Sequence, residues 1–204
     1  RIQRIQRALP GSRFGRDIAN VKEISRADVA ALFISELRLD RLYEDQKPKN
    51  DTSFKAPSSQ KGFKADSLQK YPEATDIKGH PMEDVIKEVM KLGIKGLEPN
   101  AAHKFFPDQK ITRAEFALMI QDILIKVTKE VKLATRFIGE PSPFPDVNGA
   151  VYYYNAARTA VSRGLMRIDN KVTGEFQPMA PVSGADALLT VRNLKEILKK
   201  YLRY

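Results

Sequence analysis

Two short segments place a hydroxyl, a guanidinium and a carboxylate within four positions of each other: Ser25-Arg26-Ala27-Asp28 and Thr112-Arg113-Ala114-Glu115. A third, Ser183-Gly184-Ala185-Asp186, keeps the hydroxyl and the acid without the arginine. The first chemistry open to these residues is local. A Ser or Thr at a helix N-cap accepts a hydrogen bond from the backbone N–H three residues on, and the acid there reaches back to the cap's own N–H. The carboxylate also sits at the positive end of the helix dipole. Ser25 with Asp28, Thr112 with Glu115 and Ser183 with Asp186 therefore read as three capping boxes. Committed in this way, Glu115 and Asp186 make no acid–base pair. On their own, Arg26 and Arg113 read as surface arginines paired with acids of their own helices.

The remaining reactive side chains add little catalytic promise. Tyr152, Tyr153 and Tyr154 stand in a row, either as a stacking platform for sugar rings or as alternating core and rim of a helix pair. His80 and His103 are the only histidines and there is no cysteine, so disulfides, thiol catalysis and cysteine-ligated metals are excluded. With no paired histidine spacing, no metal site is expected. Phosphate-cradling glycine loops, serine-nucleophile elbows and Walker motifs are absent. The expectation is a chain that is not an enzyme and carries no cofactor.

Three amphipathic helices must follow the three boxes. Val29, Leu32, Phe33 and Leu37 repeat at helical spacing to about Leu39, and Leu188, Val191, Leu194, Ile197, Leu198 and Tyr201 do so near the end. The middle one carries Phe116, Met119, Ile120, Ile123, Leu124, Val127 and Val131, and is expected to run unusually far, towards Leu133. Ahead of the second box lie Asp76-Ile77, a helical pattern through Val85, Ile86, Val89 and Met90 closed by Gly93, and Phe106-Pro107. Ahead of the third lie Phe144-Pro145-Asp146-Val147, the tyrosines, a helical pattern through Ala157, Ala160 and Val161 closed by Gly164, and Phe176-Gln177-Pro178. Ahead of the first, Ile2, Ile5 and Leu9 predict a helix stopped by Pro10-Gly11, followed by a loop through Phe14, Gly15 and Val21.

The order Asp-Val, aromatic, helix, Gly, loop, Phe-x-Pro, capping box, helix resembles the S-layer homology (SLH) repeat of bacterial surface proteins. The resemblance divides the chain into a first repeat at 1–40, truncated at its N-terminus, a polar insertion at 41–73, a second repeat at 74–134, a link at 135–143 and a third repeat at 144–204. Ile24 and Ile111 are 87 positions apart and Ile111 and Val182 are 71 apart, which is what places the insertion in the first interval. Because the chain opens on Arg1-Ile2-Gln3 without a Met, it reads as a fragment whose start lies elsewhere.

The resemblance implies an all-α fold of three helix-loop-helix repeats in a pseudo-threefold bundle with long loops and grooves between repeats. It implies a non-catalytic module that holds proteins to the cell envelope, at the cell surface, in the periplasm or against the outer membrane. The implied partner is a secondary cell-wall polysaccharide or peptidoglycan-linked polymer, commonly through an anionic sugar, and other envelope proteins are possible partners. The motif arginines, Arg26 and Arg113, would contact that glycan, since a guanidinium matches a carboxylate two-pronged; Gly184 breaks the pattern in the third repeat. Tyr152 falls on the family's aromatic position and, with Tyr153, would supply a sugar platform. The alternative is a degenerate SLH fold used as a protein–protein scaffold. A net charge of +10 is compatible with an acidic polymer. Nucleic acid is not expected, since the basic residues are scattered over no recognised module, and no apolar run approaches a membrane span.

Overall fold

A computed structural model describes residues 11–44, 73–168 and 172–201. Among these the chain is helical, with two isolated bridges, Ser25 to Lys110 and Thr112 to Pro181, in place of any sheet. The helices are α1 (Arg13–Ile18), α2 (Arg26–Ser35), α3 (Leu39–Glu44), α4 (Glu83–Lys91), α5 (Arg113–Thr128), α6 (Tyr154–Ser162) and α7 (Gly184–Leu198).

The three boxes open α2, α5 and α7. Ser25 accepts from the Asp28 N–H while Asp28 accepts from the Ser25 N–H at 2.8 Å, and Thr112 and Glu115 repeat both bonds. At Ser183 the hydroxyl accepts from the Asp186 N–H and donates to the Asp186 carboxylate at 2.6 Å. The β-branched residue before each cap is buried, and the three are tied in a ring. The Ile111 N–H donates to the Ile24 carbonyl at 3.0 Å, the Val182 N–H to Ile111 at 3.1 Å, and the Ile24 N–H to Val182 at 2.9 Å. Each of the three residues thus gives one bond and takes one, with no free end.

Around this ring the helices pair across sequence: α2 packs on α4, and α5 on α6. Phe33 of α2 and Phe116 of α5 stack with centroids 6.2 Å apart. One continuous apolar core results, from Ile18 to Leu198. A buried polar knot pins α6 to the segment after α5. Asn155 donates to the Leu133 and Ala134 carbonyls at 2.8 and 2.9 Å and accepts from the Phe137 N–H, while Gln121 donates to the same Leu133 carbonyl at 3.0 Å. These bonds satisfy backbone groups that burial would otherwise strand.

Several sequence expectations shift by a turn or more. The stretch expected as a loop through Phe14 contains α1, capped by Ser12. The helix from Ser25 stops at Ser35 instead of Leu39: the Glu36 and Leu37 N–H groups both go to the Leu32 carbonyl, Arg38 takes a positive φ of 56°, and the Glu36 side chain accepts the Ser12 N–H, the Ser12 hydroxyl and the Gly11 N–H. The chain resumes as α3, so the first residues of the 41–73 stretch, Arg41–Glu44, are helical. α5 ends at Thr128, where Lys129 is left-handed, and Leu133 is buried in a separate 3₁₀ turn. Gly93 and Gly164 close α4 and α6 at φ 61° and 67°, in the expected role. The expected helix over 1–9 and most of the 41–73 insertion lie outside the described residues.

Candidate functional site

The long loops are built twice from the same parts. Asp76 accepts from the N–H groups of Phe105 and Phe106 at 2.8 Å each, and Asp146 from those of Phe176 and Gln177 at 2.9 and 2.6 Å. Phe106 and Gln177, each just before a proline, sit at φ 55° and 54°. A non-glycine residue held there is strained, and the aspartate's paired bonds supply the restraint. Although desolvation pushes the Asp76 carboxyl up, these backbone bonds and the nearby Lys104 charge outweigh it and hold the group below its ordinary value.

Each clamped loop closes over the start of a preceding helix. The Arg26 and Ala27 N–H groups donate to the Gln109 and Pro107 carbonyls, and the Arg113 and Ala114 N–H groups to Ala180 and Pro178, all at 2.9 Å. The arginine side chains follow. Arg26 Nε donates to the Phe105 carbonyl at 2.7 Å, Nη2 to Glu98 at 3.0 Å and Nη1 to Gly96, with the guanidinium 4.7 Å over the Phe105 ring. Arg113 Nε donates to Phe176 at 2.7 Å and Nη2 to Arg167 at 2.6 Å, 4.8 Å over the Phe176 ring. Desolvation lowers the Arg26 pKa against the opposing charges of Glu115, Asp76 and Glu98. Arg113 is only 8% exposed. Neither is the solvated surface arginine of the simplest sequence reading, and both bind the loop across from them.

At the third position the pattern breaks for a steric reason. The Gly184 N–H donates to the Val21 carbonyl at 3.0 Å, and a Cβ built on Gly184 would lie 1.7 Å from the Ile18 carbonyl oxygen. The end of α1 occupies the place an arginine side chain would take.

A cleft of about 210 Å³ lies beside Arg113. Its wall comes from Arg113 and Phe116 of α5, from the loop 165–168 that includes Arg167, and from Asp186, Thr190 and Asn193 of α7. Thr190 and Asn193 donate to the Leu165 and Gly164 carbonyls at 2.9 and 3.1 Å and so fix that loop against α7. Arg113, Arg167 and Asp186 all border the cleft, and the Asp186 carboxylate is engaged by Ser183. Such a cleft suits a small anion with an apolar edge.

The other expected site residues are placed apart from it. Tyr152 is 77% exposed and meets Tyr153 edge-on at 5.1 Å, and neither lines the cleft. Tyr154 is buried, its hydroxyl donating to the Pro141 carbonyl at 3.0 Å and taking a bond from Arg158. Arg167, Thr190 and Asn193 were not singled out from sequence. The signal that points to them is register: Thr190 and Asn193 lie on the cleft face of α7, whose start was legible, and Arg167 lies three residues after Gly164, which closes α6.

Of the chain's 35 Lys and Arg and 25 Asp and Glu, 24 and 21 fall within the described residues, so that body carries +3 of the +10. Most of the net positive charge therefore falls on residues outside that body. Among the described residues no group of three or more His, Cys, Asp or Glu is placed to hold a metal, and no helix is long and apolar enough to cross a membrane. No family model matches the chain, and neither does any curated protein.

Proposed function

We propose that the chain is a set of three SLH repeats around a pseudo-threefold axis, and that it is a non-catalytic anchor to the bacterial cell envelope. In this reading it holds an anionic unit of a secondary cell-wall polysaccharide or peptidoglycan-linked polymer in the cleft at Arg113. The three-bond ring through Ile24, Ile111 and Val182 supports the repeat arrangement, because each capped helix then stands in the same relation to the next. The observation that carries the binding function is the cleft, with Arg113 and Arg167 in its wall. A volume of about 210 Å³ equals roughly seven waters at ~30 Å³ each, the size of one sugar ring. A guanidinium gives a carboxylate a planar, two-pronged match. Binding of this kind makes and breaks no covalent bond.

A second reading, a protein–protein scaffold within an envelope assembly, is favoured by a different observation. Arg26 spends all three of its nitrogens on carbonyls of this chain, and Gly184 is closed by Ile18. Two of three related positions then serve the fold alone.

Co-sedimentation with purified sacculi separates the two. The anchor pellets with sacculi that carry their polysaccharide and stays in solution with stripped ones, and Arg113→Ala weakens pelleting more than Arg26→Ala. Equal pelleting with stripped sacculi, or no pelleting by a folded chain, removes the anchor reading and leaves the scaffold.

A further inference from the structure

We infer that Arg167 is a second anion-recognising residue and that Thr190 keeps the cleft open, so that among the described residues one of the three related segments offers a glycan position. The inference rests on the proposal that the cleft at Arg113 takes an anionic sugar, and it deepens that proposal by naming what distinguishes this position from its two counterparts.

The argument is a comparison of equivalent residues. Met119 and Thr190 each stand seven residues after their N-caps, Thr112 and Ser183. Gly96 and Arg167 each stand three residues after a positive-φ glycine, Gly93 and Gly164, and each lends its carbonyl to the arginine of the preceding box. At Arg26 the pair is Met119 with Gly96. Met119 is buried and its side chain presses on the glycine, since a Cβ there would lie 3.2 Å from its Cε and 3.5 Å from its Cγ. Gly96 also has φ 86°, which favours glycine. At Arg113 the pair is Thr190 with Arg167. The shorter threonine ties itself to Leu165 and leaves open the volume a methionine would take, and the loop position gains a guanidinium in place of a hydrogen. At Gly184 there is neither arginine nor room. One exchange of residues thus vacates space and adds charge at the same place.

Four variants test this: Arg167→Gly, Thr190→Met, Thr190→Val and, as a comparison, Arg26→Ala. The first probe is glucuronate, an anionic monosaccharide, followed by amide chemical shifts in low salt with glucose as the uncharged control. The wild type is expected to respond at 165–168 and in the first turns of α7 to glucuronate and not to glucose. Arg167→Gly should raise the half-saturation concentration about tenfold, the ~1.4 kcal/mol of one charge-assisted contact. Thr190→Met should abolish the response and, because it loses the bond to the Leu165 carbonyl, lower the thermal midpoint by about 2–12 °C; Thr190→Val, which loses the same bond without adding length, should keep the response. Loss of the response in Thr190→Val, or unchanged glucuronate binding by Arg167→Gly or Thr190→Met, overturns the inference. The second probe is polysaccharide-bearing sacculi. Glucuronate in the cleft without pelleting on sacculi keeps the inference and sinks the anchor; pelleting that neither Arg167→Gly nor Thr190→Met reduces keeps the anchor and sinks the inference. No response to either probe sinks both.

Discussion

Replacing Gly184 by alanine is the sharpest test of how the ring closes. The new Cβ would lie 1.7 Å from the Ile18 oxygen and 2.8 Å from the Ile18 carbonyl carbon, both backbone atoms with no rotamer to give way. An ordinary carbon–oxygen contact is about 3.3–3.6 Å, so α1 and α7 must separate by more than an ångström. That movement falls on the Gly184 N–H to Val21 bond of 3.0 Å and on the neighbouring Ile24 to Val182 bond of 2.9 Å. Each is worth about 1 kcal/mol net, and overpacking adds about 1–3 kcal/mol. Against this, alanine in a helix gains at most about 1 kcal/mol over glycine. The balance is a loss of about 2–4 kcal/mol. For a chain of this size each kcal/mol moves the midpoint by about 2–4 °C, so thermal unfolding followed by far-ultraviolet circular dichroism should show a drop of about 4–16 °C. A Gly184→Ala protein as stable as wild type, or more so, would refute the close approach of α1.

Asp146→Ala removes the acceptor for two backbone N–H groups at a strained turn and should cost about 2–3 kcal/mol in urea unfolding, with Asp146→Asn intermediate. Asn155→Ala strands the Ala134 carbonyl and the Phe137 N–H, while the Leu133 carbonyl keeps its bond from Gln121; a loss of about 2–4 kcal/mol is expected, and a loss below 1 kcal/mol would mean water replaces the side chain. Acid titration should show a matching weakness. Asp76 and Glu36 are both held below their ordinary values of 3.8 and 4.5: desolvation opposes this, and backbone and Ser12 bonds together with Lys104 and Lys195 win. A carboxyl with a depressed folded pKa adds stability above its unfolded pKa and loses it as pH falls through the folded one. Stability should thus be flat above about pH 5 and fall below pH 4, and an Asp76→Asn, Glu36→Gln double variant should fall less steeply; equal slopes would count against these carboxylates as the cause.

Local physics was legible in the sequence and long-range closure was not. The caps at Ser25, Thr112 and Ser183 could be read because a capping box is complete within four residues. Gly93 and Gly164 marked the ends of α4 and α6 because glycine alone takes a positive φ without strain. Arg38 and Lys129 end α2's turn and α5 with the same geometry and no glycine, so those ends were placed too late. α1 was missed although Ser12 caps it, since Pro10-Gly11 ahead of it reads as a loop and its six residues show no period. The substitution at Gly184 was visible as a departure, but its reason lies in Ile18, distant in sequence. Arg26 and Arg113 stood out by their place in the boxes, yet their bonds to loop carbonyls required the partner loops to be placed first. The net charge misled about the body, which carries little of it.

The most direct test of the anchor uses the unaltered chain, because Arg113 also supports the fold and its removal confounds binding with stability. Isotope-labelled protein is titrated with polysaccharide released from sacculi, and backbone amide shifts are mapped. Saturable shifts clustered on Arg113, on 165–168 and on the first turns of α7 are the predicted result. Shifts that leave the cleft silent, or none at saturating polymer, would contradict the claim that the chain holds a cell-wall glycan there.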